Sequence, residues 1–209
     1  LSSDLSDFSD VFSGADTVFH VAAKVDMWGP YDEFFRTNVT GTRNIIDMCR
    51  RCGVRKLVYT SSPSVIADGS DICGVDESYP YPDHYEAYYP QTKAIAEREV
   101  LEADAKGGLR TASLRPHLIF GPGDMNLVPT ILERVRQGRM VQVGAGKNIV
   151  DFTFIDDCVE AHLCASRALD ANPSAAGRAY FITQGEPVNM WDFINEIIKR
   201  SALPAISRN

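Results

Sequence analysis

The sequence predicts a doubly wound α/β fold, a parallel sheet covered by helices on both faces, followed by a smaller C-terminal lobe. Three observations carry that expectation. Short apolar runs alternate with longer helical patterns, the runs are almost unbroken in their apolarity, and glycine and proline become frequent after Leu118. Strands buried on both faces read as continuous apolar runs, and helical crossovers between such strands give a parallel sheet with right-handed connections.

The elements follow in order. Residues 17–22 read as a buried strand, and a helix is expected over about 31–52. A second buried strand spans 56–61, followed by an Ala- and Glu-rich helix over about 90–106. Residues 110–115 form the next strand, and a helix over about 128–137 comes after it. The boundary to the C-terminal lobe is placed at residue 118, dividing the chain into 1–118 and 119–209.

Past that boundary, Gly121-Pro122-Gly123-Asp124 is a turn cluster, and Gly138, Gly144 and Gly146 punctuate short segments around Val141-Gln142-Val143. A strand is expected over 152–155, with Asp156 or Asp157 capping a helix that runs through residue 168. Another strand covers 179–182, and Trp191-Asp192 opens the last helix.

Composition narrows the class. The 209 residues are 44% hydrophobic and 23% charged, ordinary for a soluble globular protein. A net charge of −7 and a pI near 5.1, with no long basic run, argue against a nucleic-acid partner. No stretch approaches the ~20 apolar residues that span a bilayer, and the acidic start lacks a signal-peptide profile, so a cytoplasmic location is expected.

Five cysteines without paired rhythm do not suggest a disulfide framework. Cys49 and Cys52 form a CxxC, but they share one helical stripe with Val39, Thr42, Ile45 and Ile46, which reads as a core face. No second CxxC or nearby histidine pair completes a metal set, and Asp156-Asp157 reads as a helix cap, so no metal site is expected.

In an open parallel sheet, ligands bind beyond the carboxyl ends of the strands. The first strand leads into His20-Val21-Ala22-Ala23, whose small residues allow close approach to the backbone. The second leads into the hydroxyl-rich Thr60-Ser61-Ser62-Pro63-Ser64, and the next helix starts at Tyr89-Pro90-Gln91-Thr92-Lys93. Tyr89 and Lys93, four apart, share a helix face, and Pro90 suits a first turn. A free phenol titrates near 10, and a nearby ammonium lowers that by favouring the phenolate. Ser62 is placed to hold a substrate oxygen beside that phenol. Tyr85 and Tyr88 have no lysine at +4, and Tyr89 does.

This Ser…Tyr-x-x-x-Lys pattern resembles that of the extended short-chain dehydrogenase/reductases, which have a Rossmann-type fold. Several further segments are similar in the right order. Asp4-Leu5 resembles the pair that ends the family's third strand and touches adenine, and His20-Val21-Ala22-Ala23 its fourth-strand motif. Asn38-Val39-Thr40-Gly41-Thr42-Arg43-Asn44 resembles its helix motif, and Leu114-Arg115-Pro116 with Gly121-Pro122-Gly123-Asp124 the entry to its substrate lobe.

The resemblance implies Tyr89 as proton donor or acceptor, Lys93 on the nicotinamide ribose and lowering the Tyr89 pKa, and Ser62 orienting the substrate oxygen, with Ser61 second in line for that role. It implies NAD or NADP as cofactor, bound by Asp4, Leu5, His20, Ala22, Ala23, Asn38, Tyr89, Lys93 and Pro116, with 1–118 the C-terminal part of the dinucleotide-binding domain and 119–209 mainly an incomplete substrate lobe. The family's glycine-rich phosphate turn is expected about fifty to sixty residues upstream of Leu1, so the chain reads as a fragment lacking it. The residue that selects NAD over NADP lies upstream too.

Within the superfamily, Thr60–Ile66, Tyr88–Lys93 and the run from Arg115 to Asp124 resemble the group of 3β-hydroxysteroid dehydrogenases, sterol-4α-carboxylate 3-dehydrogenases and 2-alkyl-3-oxoalkanoate reductases. That implies a bulky apolar small-molecule substrate, with Met27, Trp28, Met125 and Leu127 suited to its pocket, and leaves a homodimer open. A nucleotide-sugar epimerase and a non-catalytic cofactor sensor are the alternatives. Dehydratases of this fold place Thr-Asp-Glu where this chain has Ser62-Pro63-Ser64, and a sensor typically lacks the Tyr or the Lys. His117 is a further candidate neighbour of the nicotinamide.

Overall fold

The computed structural model describes residues 9–26, 28–142, 144–203 and 206. They form two compact units: one runs to Arg115 and takes in Glu160–Phe181, and the other comprises Pro116–Val159 and the segment from Ile182 onward. A contiguous division at residue 118 therefore gives way to one in which 160–181 return to the first unit. The reason is sheet pairing, which recruits a fourth strand from late in the chain.

The first unit opens with α1 (Ser9–Phe12) and β1 (Thr17–His20), then α2 (Tyr31–Phe34), α3 (Gly41–Arg51), β2 (Lys56–Thr60), α4 (Tyr88–Glu102) and β3 (Arg110–Pro116). β1, β2 and β3 pair in parallel, with Val18 opposite Leu57 and Val58 opposite Ala112. The order across the sheet is β1-β2-β3-β7, the last strand being Arg178–Ile182. This parallel sheet with flanking helices is the expected Rossmann-like architecture. Its core joins Ile45, Ile46, Met48 and Cys49 of α3 to Leu57 and Tyr59 of β2 and Ala96 and Val100 of α4. Burial pushes the Cys49 thiol up to about 12, which suits a packed sulfur and not a reactive one.

The helix expected over 31–52 is interrupted. Between α2 and α3, Phe35–Thr40 forms a π-helical turn, with the Gly41 N–H reaching back to the Arg36 carbonyl. Such wide turns insert one residue into a helix and often sit at functional sites. At the amino ends of the strands, Lys56 Nζ lies 2.8 Å from Asp16 and 2.5 Å from Asp170, and Arg55 bridges the same two carboxylates. That ionic clasp closes the end of the sheet remote from the strand carboxyl termini.

The second unit contains β4 (Ile119–Phe120), α5 (Leu127–Arg136), β5 (Ile149–Val150), β6 (Thr153–Phe154), β8 (Val188–Asn189) and α7 (Met190–Arg200), and α6 (Ile155–Ala171) starts in it. β4 pairs with β6 in parallel, and β5 with β8 antiparallel. Ile131 and Val135 of α5 pack with Trp191, Ile194 and Ile198 of α7. The turn cluster has a clear role here: Asp124 accepts the N–H groups of Asn126, Leu127 and Val128 and caps α5. Gly121 sits at φ +144°, and a Cβ there would lie 2.5 Å from Ile155 Cγ2. Asp156 and Asp157 stand inside the first turn of α6, while Asn189 caps α7 through the N–H groups of Trp191 and Asp192.

Candidate active site

Three segments of the first unit supply the candidate residues: the stretch after β1, the turn after β2, and the start of α4. Tyr89 is the second residue of α4 and half-buried, whereas its neighbour Tyr88 is 48% exposed and packs edge-on against Tyr31. One turn on, Lys93 is 1% exposed. Its Nζ donates to the Thr60 carbonyl at 2.6 Å and lies 4.1 Å from the centroid of the Tyr59 ring. Burial lowers the Lys93 pKa to about 7, against the opposing pull of Glu97.

Burial also raises the Tyr89 phenol above its usual 10, and the influence that opposes burial is a hydrogen bond with Ser62. The expected lowering by Lys93 is not what the geometry supplies, because the ammonium is turned to the Thr60 carbonyl and the Tyr59 ring face. Ser62 is extended, at φ −155°, and heads a 3₁₀ turn over Pro63–Ile66. Its Oγ accepts the Ser64 N–H at 3.2 Å and lies 2.9 Å from Ser64 Oγ.

The other expected residues separate into two kinds. His20 is buried at the end of β1, with Nε2 2.9 Å from Thr42 Oγ1, which itself donates to the Asn38 carbonyl at 2.6 Å. A hydroxyl has one proton; with that proton on Asn38, Nε2 must be the donor to Thr42. Burial, with the Lys93 charge second, lowers the His20 pKa to about 4 and keeps the ring neutral.

Asn38 lies in the π-helical turn, fully enclosed. Its side chain accepts the Lys24 N–H at 2.7 Å, donates to the Lys24 carbonyl at 3.1 Å and donates to Thr92 Oγ1 at 3.1 Å. Its amide is thus committed to protein groups, and it holds the post-β1 segment against α4. Ala22 is exposed and Ala23 half-buried beyond the end of β1, and Pro116 is the buried last residue of β3. Asp4 and Leu5 lie outside the described residues. His117, in the second unit, has its pKa lowered by burial, with Asp151 opposing.

Sequence reasoning missed the group beneath Lys93. Glu97, 0% exposed and four residues further along α4, accepts from Arg115 Nη2 at 2.7 Å, Tyr81 Oη at 2.6 Å and Ser113 Oγ at 2.7 Å. Arg115 is 2% exposed. Burial acts to raise the Glu97 carboxyl, but hydrogen bonds and charge from Arg115, with Tyr81, outweigh it and leave it below the usual range. Two signals were present: Glu97 continues the four-residue spacing of Tyr89 and Lys93, and Arg115 is a charge in an apolar strand.

The model of the 3-beta hydroxysteroid dehydrogenase/isomerase family matches residues 2–208. The chain belongs to that family. Relatives of this chain include the 2-alkyl-3-oxoalkanoate reductase of Stenotrophomonas maltophilia, 45% identical over 94% of this chain and 60% of that protein. The decarboxylating sterol-4-alpha-carboxylate 3-dehydrogenase of Homo sapiens is 41% identical over 92% of this chain and 52% of that one. The chain therefore spans about half of the length of the curated relatives it matches. Among solved structures, MoeE5 in complex with UDP-glucose and NAD superposes with a TM-score of 0.79 at 24% identity, covering 100% of this chain and 70% of that one. At that identity the likeness shows the fold. Among the described residues, no helix is long and apolar enough to cross a membrane.

Proposed function

We propose that this chain carries the proton-transfer and ribose-binding part of an NAD(P)-dependent dehydrogenase/reductase acting on the secondary alcohol or ketone of a bulky apolar substrate. The single observation that carries the reading is a buried lysine seated on the Thr60 carbonyl, at the turn that leads to Ser62, one helical turn from Tyr89. The names of the relatives, a 3-oxoalkanoate reductase and a sterol 3-dehydrogenase, support the substrate class.

The residues present fit a nicotinamide dinucleotide. An ammonium has three N–H donors; the Thr60 carbonyl takes one from Lys93, and the remaining capacity suits the hydroxyls of a ribose. Ala22 and Ala23 leave the edge of β1 open to a flat ring. The bound nicotinamide supplies or accepts the hydride at the carbinol carbon.

The chain's own groups handle the proton. In the reducing direction, Ser62 donates a hydrogen bond to the substrate oxygen and Tyr89 gives that oxygen its proton. In the oxidising direction the same proton returns to Tyr89. Asn38 holds the first turn of α4 through Thr92.

A substrate panel with the intact protein, followed by nicotinamide absorbance, tests the reading. Turnover of apolar 3-oxo acids or 3-hydroxysterols in preference to nucleotide sugars is expected. Efficient conversion of a UDP-sugar without activity on apolar ketones would overturn it in favour of the epimerase alternative.

A further inference from the structure

We infer that Ser64 is a positioning residue for Ser62, donating its hydroxyl proton to Ser62 Oγ so that the Ser62 proton is left for the reacting oxygen. The inference rests on the dehydrogenase reading above and deepens it. The contact is close, 2.9 Å between the two oxygens, but distance alone leaves the direction of donation open.

Three other turns in this chain share the construction and have an unambiguous donor. In Asp68–Ser70, Asp76–Ser78 and Asn172–Ser174, the serine sends its backbone N–H and its hydroxyl to one oxygen of the first side chain. The N–H contacts span 2.9–3.0 Å and the hydroxyl contacts 2.5–2.7 Å. A carboxylate or an amide oxygen cannot donate, so in all three the serine is the donor.

Ser62–Pro63–Ser64 has the same construction, and Asn172–Pro173–Ser174 shares its central proline. Proline fixes the backbone at the first position of the turn and offers no N–H of its own. The N–H that Ser62 Oγ caps is therefore that of Ser64, and the turn brings the Ser64 hydroxyl to the same oxygen.

The consequence for Ser62 is arithmetical. Its hydroxyl has two acceptor sites and one proton. With the Ser64 N–H and O–H on the acceptor sites, Ser62 can act only as a donor outward. Were the direction reversed, Ser62 would spend its proton on Ser64 and could offer the reacting oxygen nothing. Ser62 is also the group that opposes burial at Tyr89, so its donor state bears on both partners of the proton transfer.

The test is a double-mutant cycle in the intact protein, on a substrate the wild type accepts. Ser64→Ala is expected to lower kcat about fivefold to tenfold, the kinetic equivalent of one hydrogen bond, with the KM for the dinucleotide unchanged because Lys93 is untouched. Ser64→Thr keeps the hydroxyl and is expected to restore kcat. In a Ser62→Ala background, Ser64→Ala should cause no further loss, since it acts only through Ser62. A loss that multiplies with that of Ser62→Ala, or a silent Ser64→Ala beside a damaging Ser62→Ala, overturns the role of Ser64 and leaves the dehydrogenase reading intact. A silent Ser62→Ala overturns the roles of both serines.

Discussion

Asn38 donates to Thr92 Oγ1 at 3.1 Å, from a π-helical turn to the helix that carries Tyr89 and Lys93. The same amide pairs with both backbone groups of Lys24, as a neighbouring strand would. Thr92 in turn donates to the carbonyls of Tyr88 and Tyr89 in its own first turn. One buried side chain thus sets the distance between the segment after β1 and the candidate acid–base.

Tyr89 is where the chemistry is most exposed to test. Tyr89→Phe removes one oxygen and is expected to lower turnover by about 10²–10⁴, the usual worth of a positioned general acid–base. Tyr88→Phe, on the exposed neighbour, should leave turnover near the wild-type value. Steady-state kinetics on both variants decides it; a dead Tyr88 variant beside an active Tyr89 variant would place the acid–base one residue earlier.

Lys93 ties stability to pH. Its folded-state pKa is near 7 and its usual value is 10.5. Between the two, the unfolded chain holds the extra proton, so this group makes stability rise with pH across that window and level off above it. Denaturant unfolding from pH 6 to about 10.5 should show the wild type gaining on Lys93→Met as pH rises. Parallel curves would mean that the ammonium is not held in a desolvated site.

The Arg115–Glu97 pair is predicted to matter most when broken from one side. Arg115→Met leaves a buried carboxylate without its guanidinium, at a cost of about 3–5 kcal/mol. Adding Glu97→Gln should recover part of that loss, because the orphaned charge goes with it. Shifts in the denaturation midpoint report both; a double variant as unstable as the sum of the singles would deny the coupling.

How far the sequence could be read depended on whether a residue's neighbours are local. β2 and β3 were legible because a strand buried on both faces has to be apolar along its length, and Tyr89 was separable from Tyr88 because its lysine lies one turn away on the same helix. The π-helical turn was not legible, since Phe35–Thr40 carry no proline or glycine to mark a change of winding. Glu97 and Arg115 meet across 18 residues, and the return of residues 160–181 to the first unit depends on a pairing made far from the first strands. The opposition to burial at Tyr89 was assigned to Lys93 from spacing alone; the side chain's actual direction, toward the Thr60 carbonyl, could come only from coordinates.

That seat has an evolutionary side. The oxygen that holds Lys93 belongs to the peptide backbone of residue 60, which every amino acid possesses, and it is held in register by Thr60 opposite Leu114 and by the Ser61 N–H on the Leu114 carbonyl. Codon changes at position 60 can therefore explore new side chains against His162, where Thr60 Oγ1 now lies 2.7 Å from Nε2, without removing the lysine's acceptor. The lysine's seat thus depends on the path of the main chain at position 60, whereas the side chain there answers to His162.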